Sequence, residues 1–306
     1  MIAFIGNGLI AISKLVAAAI TGSSAMFAEG VHSVVDAGNQ LLLLYGIKRS
    51  ARPADERHPF GYGMEIYFWS FVVAILLFSV GAGVSLYEGI EKIRHPHPVA
   101  SPHINFIVLG LAMVFEGFAF WAAIKEMNRR RLPGETVYAY VRRSKDAPLF
   151  VVLLEDAGAM FGLMIAAAAL AGVLLLDMPV LDGVASVIIG TLLALAAILL
   201  AIETKALLIG EAASPRIQNG VKALVAGDKS IIAVNEVLTM HFGPEDILCT
   251  LSVDFADTAS SVDVEASISD LERQIKAEFP QIKRLFIEAQ SVLEHAKALE
   301  IADAHH

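Results

Sequence analysis

The sequence predicts a membrane α-helical protein followed by a small α+β domain, and three observations carry that expectation. Of 306 residues, 56% are hydrophobic and 18% are charged, with a mean hydropathy of +0.62; a water-soluble domain of this length carries charge on about a quarter of its residues. The apolar residues gather in runs of about twenty or more instead of alternating, the length a helix needs to cross a bilayer. After about Gly210 the pattern changes to short β-branched runs and one amphipathic stretch.

Six spans can be drawn, roughly 2–21, 23–47, 66–90, 104–126, 148–174 and 179–207. Gly22-Ser23-Ser24 turns the first into the second, and Lys48 to Gly63 is a hydrophilic connection. Pro96, Pro98 and Pro102 mark the loop before the fourth span, and Arg129-Arg130-Arg131 with Pro133-Gly134 the loop before the fifth. The opening stretch has no basic n-region, and Asn7 and Lys14 interrupt it, so it reads as a first span rather than a signal peptide. Lys48, Arg49, Arg52 and Arg57 follow the second span; Lys125, Arg129, Arg130, Arg131, Arg142, Arg143 and Lys145 follow the fourth; the opposite side has Lys92 and Arg94. Basic short loops stay in the cytosol, so both termini are expected there.

The boundary between the two parts is expected at 209/210, giving a membrane domain 1–209 and a cytosolic domain 210–306. In the latter, Pro215 to Leu224 reads as a helix, Ile231 to Phe242 and Leu248 to Phe255 as strands around the turn Gly243-Pro244-Glu245-Asp246, and Lys283 to Glu288 as a third strand. Val262 to Phe279 is helical, with Val264, Ile268, Leu271 and Ile275 on one face. From Leu207 onward eight Lys and Arg face sixteen Asp and Glu, so nearly all of the net charge of −9 lies there. That acidity argues against nucleic acid as a partner. The single cysteine, Cys249, excludes a disulfide framework and reads as a small packed residue.

Four polar residues on two apolar helices carry the chemistry. His32 and Asp36 are four apart and share one helical face. Glu29 precedes them on the same stripe and Gln40 follows, both read as accessory groups of the site. On the fifth span Glu155 and Asp156 are adjacent and diverge by about 100°, so only one can point straight at a given centre. Each acid at mid-depth costs about 2.5–3.5 kcal/mol, and the set on the order of 10 kcal/mol if nothing compensates. A divalent cation compensates, and a tetrahedral set of imidazole nitrogen and carboxylate oxygen suits Zn²⁺. A hydrogen-bonding role between spans and a metal-free proton relay use the same residue types. Glu116 in the fourth span is an accessory acid or proton carrier. Asp182 reads as a charge favoured by its own helix dipole, and His95, His97, His103, His305 and His306 as solvated; His241, at a strand end, reads as structural.

The segments SSAMFAEGVHSVVDAGNQ, DERHPFGYGMEIYF, VVLLEDAGAMFG and LDGVASVIIG together resemble the cation diffusion facilitator family, most closely the branch containing the vertebrate mitochondrial zinc transporter. The resemblance covers the whole chain. It implies a homodimer with a ferredoxin-like cytosolic domain (α-β-β-α-β), exchanging a divalent cation, usually Zn²⁺, for protons. It places the metal on His32, Asp36 and Asp156; Val152 stands where many members have His, and Glu155 is the natural substitute. Replacing nitrogen with oxygen makes Mn²⁺ or Fe²⁺ better competitors. Of the family's loop site Asp55 and His58 remain, with Tyr62 in a His position and Met64 in a basic one. The cytosolic cluster positions read Asn235, Ser252, Glu265, Glu288 and Gln290, so no tight binuclear site is expected; Glu265 and Glu288 are the carboxylates left there.

The expected function is proton-coupled efflux of a divalent cation from a bacterial cell through its inner membrane, with the bilayer, metal ions, protons and a second copy as partners. Transport of Mn²⁺, Fe²⁺, Co²⁺ or Ni²⁺, and a membrane-anchored metal sensor without flux, are the alternatives. No organic cofactor is expected, and an enzyme is not, since no serine–base pair or His-Glu-x2-His signature is present.

Overall fold

The computed structural model describes residues 2–137, 139–140 and 145–303, so Arg142, Arg143, His305 and His306 lie outside the described residues. The chain forms two compact units: Met1–Ala51, Glu65–Arg142 and Asp146–Lys205 make the first, and Arg52–Met64, Arg143–Lys145 and Ala206–His306 the second.

The first unit is a bundle of long helices: α1 (Ile2–Thr21), α2 (Ser24–Ser50), α3 (Glu65–Arg94), α4 (Pro102–Arg130), α5 (Ala147–Leu176) and α6 (Val180–Leu208). Among the described residues α3 to α6 are long and apolar enough to cross a membrane, while α1 contributes a shorter apolar stretch from Gly6 to Thr21. The protein is thus an integral membrane protein. Starts and stops follow local chemistry. Pro102 and Pro148 sit in the first turns of α4 and α5, where no intrahelical N–H bond is lost. Asp146 caps α5 by accepting from Leu149 N–H and also accepts from Arg130 at the end of α4. Leu9, Ile12, Val16 and Ile20 line one side of α1 and are each more than half exposed. Such a stripe suits lipid rather than water.

α3 contains a π-helical turn at Leu77–Ala82, a feature absent from the sequence expectations. Beyond it α3 meets α6 backbone to backbone. A Cβ on Gly89 would stand 2.7 Å from Val187 N and 2.8 Å from Gly183 O, and Ser186 Oγ donates to Ser85 O at 2.8 Å. Small residues permit such a crossing where no hydrophobic force drives helices together.

In the second unit α7 (Pro215–Ala226) and α8 (Ser261–Glu278) accompany a sheet of β1 (Ile231–Gly243), β2 (Asp246–Phe255) and β3 (Ile282–Ala289), in that order, and α9 (Val292–Asp303) follows. β1 and β2 pair antiparallel, β2 and β3 parallel. The core joins Val221 and Val225 of α7, Cys249, Leu251 and Val253 of β2, and Leu271 and Ile275 of α8, with Val264 and Ile268 packed against it. Ser260 and Asp263 close a capping box at the start of α8. The helix α9 goes beyond the expected α-β-β-α-β order.

Candidate functional site

Buried positions on α2 include Ala25, Glu29, His32, Asp36, Asn39, Leu43 and Gly46. From Glu29 onward their spacing alternates three and four, which lines one face of a helix. The polar members sit at its centre. His32 is 0% exposed, and its Nε2 lies 3.4 Å from Asp36 Oδ2. Both imidazole nitrogens and Asp36 Oδ1 lack a hydrogen-bond partner, as do Glu29 Oε1 and Asn39 Oδ1. An unpaired buried donor or acceptor costs about 1–3 kcal/mol. Five such atoms on one stripe mark it as more than packing.

α5 brings the opposing groups. Glu155 is 5% exposed and accepts from Asn39 Nδ2 at 2.5 Å. Asp156, half-buried, diverges from it as the helical step requires. The charges of Glu155, Glu116, Asp156 and Lys14 all act on Asp36, and that of Glu116 acts on Asp156 and Glu29. Glu116 on α4 is 4% exposed. His32, Asp36, Glu155, Asp156 and Glu116 therefore belong to one charge cluster. Among the described residues no three His, Cys, Asp or Glu side chains are gathered closely enough to hold an ion; the cluster is not a closed cage.

The structure departs from the sequence expectations in several places. The amide that reaches α5 is Asn39, whereas Gln40 is only half-buried. The signal lay in the sequence, since Asn39 is seven residues after His32 and keeps the three-four spacing while Gln40 breaks it. Glu29 is not a free accessory acid: Lys14 of α1 pairs with its Oε2 at 3.1 Å. Lys14, read from sequence only as an interruption of the first span, is 0% exposed. Asp182 serves the N-terminus of α2 rather than that of its own helix. Its carboxylate accepts from Ser23 Oγ and Ser24 N–H, each at 2.6 Å, and from Ala25 N–H at 3.4 Å. Lys92, counted from sequence only as a basic loop residue, is 3% exposed and lies 3.7 Å from Asp182. His97 is not simply solvated, since its ring nitrogen lies 2.7 Å from the Lys92 ammonium.

The second unit offers little to an ion. Asp55 accepts from Arg57 and His58 N–H and from Tyr62 Oη at 2.7 Å, bonds that fold its own loop. The Tyr62 hydroxyl, foremost, holds its carboxyl below the usual range. The His58 ring lies 3.5 Å from Asp55 and packs on Tyr62. Glu265 and Glu288 are exposed. Asn235 donates to Ser252 Oγ and to Gln290 O, a neutral network. His241 is buried, with Nδ1 3.1 Å from Gly243 O.

A bundle of apolar helices that buries an imidazole and several carboxylates defines a class of membrane protein, and comparison places the chain within it. Residues 1–209 match the model of the cation efflux transmembrane domain, and the chain belongs to the cation efflux family, whose members are transporters rather than enzymes. Among curated proteins it is 37% identical over 251 residues to the proton-coupled zinc antiporter SLC30A9, mitochondrial, of Xenopus laevis, covering 81% of this chain and 45% of that protein. The human protein of the same name is 33% identical over 256 residues, covering 83% and 45%. Metal tolerance protein C4 of Arabidopsis thaliana is 30% identical over 236 residues, covering 77% and 52%. The chain spans about half the length of these relatives.

Proposed function

We propose that the chain exports a divalent cation, zinc foremost, in exchange for protons, by alternating access around His32, Asp36, Asp156 and Glu155. The observation that carries the proposal is the row of unpartnered buried atoms on α2, with acids of α5 in electrostatic range of it. Neutral imidazole and ionised carboxylates are the ligand forms zinc requires, at about 2.0–2.2 Å. Protons compete for the same atoms, so proton binding and metal binding exclude one another. Asn39 holds Glu155 towards α2, and Glu116 is placed to carry charge beside Asp156.

The names of the frog and human relatives support zinc and proton coupling. The oxygen-rich set, with Val152 where an imidazole is expected, keeps Mn²⁺ and Fe²⁺ as competitors. The basic loops favour cytosolic termini, and a bacterial inner membrane is the proposed location. In this reading residues 1–209 form the transport domain, and the acidic module of residues 210–306 joins two copies into a homodimer.

The test is zinc uptake into vesicles carrying the purified protein. Asp36→Ala and Asp156→Ala are each expected to abolish saturable uptake, and near-normal transport in both would sink the assignment. Competition of each first-row ion against zinc identifies the cargo.

A further inference from the structure

We infer that Lys14 is a specificity-determining residue of the ion site: its ammonium holds Glu29 out of the ligand set and so favours zinc over harder, oxygen-preferring ions. The inference rests on the transport reading above and goes beyond it to how the site chooses.

Lys14 is wholly buried in α1. A bare ammonium inside an apolar bundle persists only against an anion and further acceptors. Both are supplied by α2. The Nζ lies 3.1 Å from Glu29 Oε2 and donates to Ser33 Oγ at 2.8 Å. Glu29 and Ser33 are four residues apart and straddle the turn that carries His32, so the ammonium is seated beside that turn. Its charge acts on His32, Asp36, Glu29 and Glu116 alike.

Glu29 has the placement of a ligand. It is 0% exposed, three residues before His32 on the same stripe, and its Oε1 has no partner. Its carboxylate also packs directly on Gly162 of α5, where any Cβ would collide with Oε1. With Lys14 removed, this carboxylate would be an uncompensated anion at the α2–α5 seam, free to join Asp36, Glu155 and Asp156 around an ion. A set dominated by charged oxygen moves preference from zinc towards manganese, whereas a larger share of imidazole nitrogen favours zinc. Lys14 thus acts as a tethered monovalent cation that neutralises one chosen carboxylate and leaves the others to the cargo.

The experiment measures uptake of zinc and of manganese into proteoliposomes holding wild-type protein, Lys14→Met, Lys14→Arg, or the double variant Lys14→Met with Glu29→Gln. Lys14→Met is expected to raise the manganese-to-zinc uptake ratio about tenfold. Lys14→Arg keeps the wild-type ratio, and so does the double variant, because the released carboxylate is gone. A wild-type ratio in Lys14→Met overturns the inference, as does an altered ratio that persists in the double variant. A merely structural ion pair would lower the yield of folded protein without moving the ratio. If Lys14→Met does not fold, Glu29→Gln decides: an unpaired ammonium beside His32 weakens zinc binding about tenfold in equilibrium dialysis, and unchanged binding overturns the idea. Failure of the transport reading is distinguishable, since wild-type vesicles would then move neither ion while zinc-against-manganese dialysis on the same variants still reads the role of Lys14.

Discussion

At the scale of single residues, the site depends on which side chain satisfies which. Asn39 donates to Glu155 and so orients one acid of the cluster from the helix opposite. Groups that orient a metal ligand commonly alter affinity by about 10–100-fold when removed. Asn39→Leu is therefore expected to reduce zinc uptake by at least about tenfold, with the thermal unfolding midpoint of the solubilised protein little changed; equal uptake would show that Glu155 needs no guidance from α2. The paired placement of His32 and Asp36 was legible because two residues four apart on a helix must share a face. The face of Asn39 was legible from its spacing to His32, but neither its partner on α5 nor that of Lys14 on α2 was. A polar residue in an apolar run signals that a partner exists, but the partner lies on another helix, and one sequence does not say which faces meet.

At the scale of elements, the helix that carries the site is seated by its neighbours. The start of α2 is capped by Ser23, whose hydroxyl accepts from Met26 N–H at 3.1 Å, and by Asp182 from α6. Lys92 of α3 completes the arrangement by donating to Gly22 O at 2.7 Å. Removing one member of a buried ion pair strands the other, a loss of about 3–5 kcal/mol. Asp182→Ala is expected to lose stability on that scale, and Asp182→Asn less, because the amide oxygen still accepts from one of the two donors, Ser23 Oγ or Ser24 N–H, that the two carboxylate oxygens share. Unfolding in mixed micelles measures both, and equal stability in wild type and Asp182→Ala would refute the cap. Of the six expected spans, only α3 to α6 are long and apolar enough to cross a membrane among the described residues. The bounds of the bundle helices and of the strands were readable to within a few residues, since hydropathy and β-branched alternation record burial directly. The π-helical turn at Leu77–Ala82 was not, because it leaves no mark in composition. The same holds for the helix N-terminus that Asp182 chooses: its own dipole and that of α2 attract a carboxylate equally well on paper.

At the scale of the whole molecule, the first unit is the helical bundle and the second carries groups that respond to acid. In the second, burial holds the His241 imidazole below its usual range, outweighing its contact with Gly243 O. The Asp228 carboxyl is likewise held low, chiefly by the Ser230 hydroxyl. In both cases the unfolded chain binds the proton more readily than the folded one, so stability falls as pH falls. The His241 contribution is fully present above the ordinary histidine value of about 6.5 and declines below it. That of Asp228 is present above about 3.9 and is lost at lower pH. Urea unfolding of the solubilised protein, followed by the transition of residues 206–306, should show a lower midpoint at pH 5.5 than at pH 7.5. Substituting His241→Gln should flatten the difference, and a pH-independent midpoint in the wild type would exclude the linkage. In the same core, Leu271 is 1% exposed, and Leu271→Ala is expected to lower stability by about 2–5 kcal/mol in the same assay. The acidic character of this unit and its helix–strand order as far as β3 were readable from sequence, whereas the parallel pairing of β2 with β3 follows only from the crossover that α8 makes.

Three helices meet where Asp182, Lys92 and Ser23 interlock. Because α3 and α6 also cross with their backbones nearly touching at Gly89 and Gly183, they can neither slide nor twist past each other by much. In the alternating-access reading proposed above, a swing that turns His32 across the bilayer is expected to move this trio together.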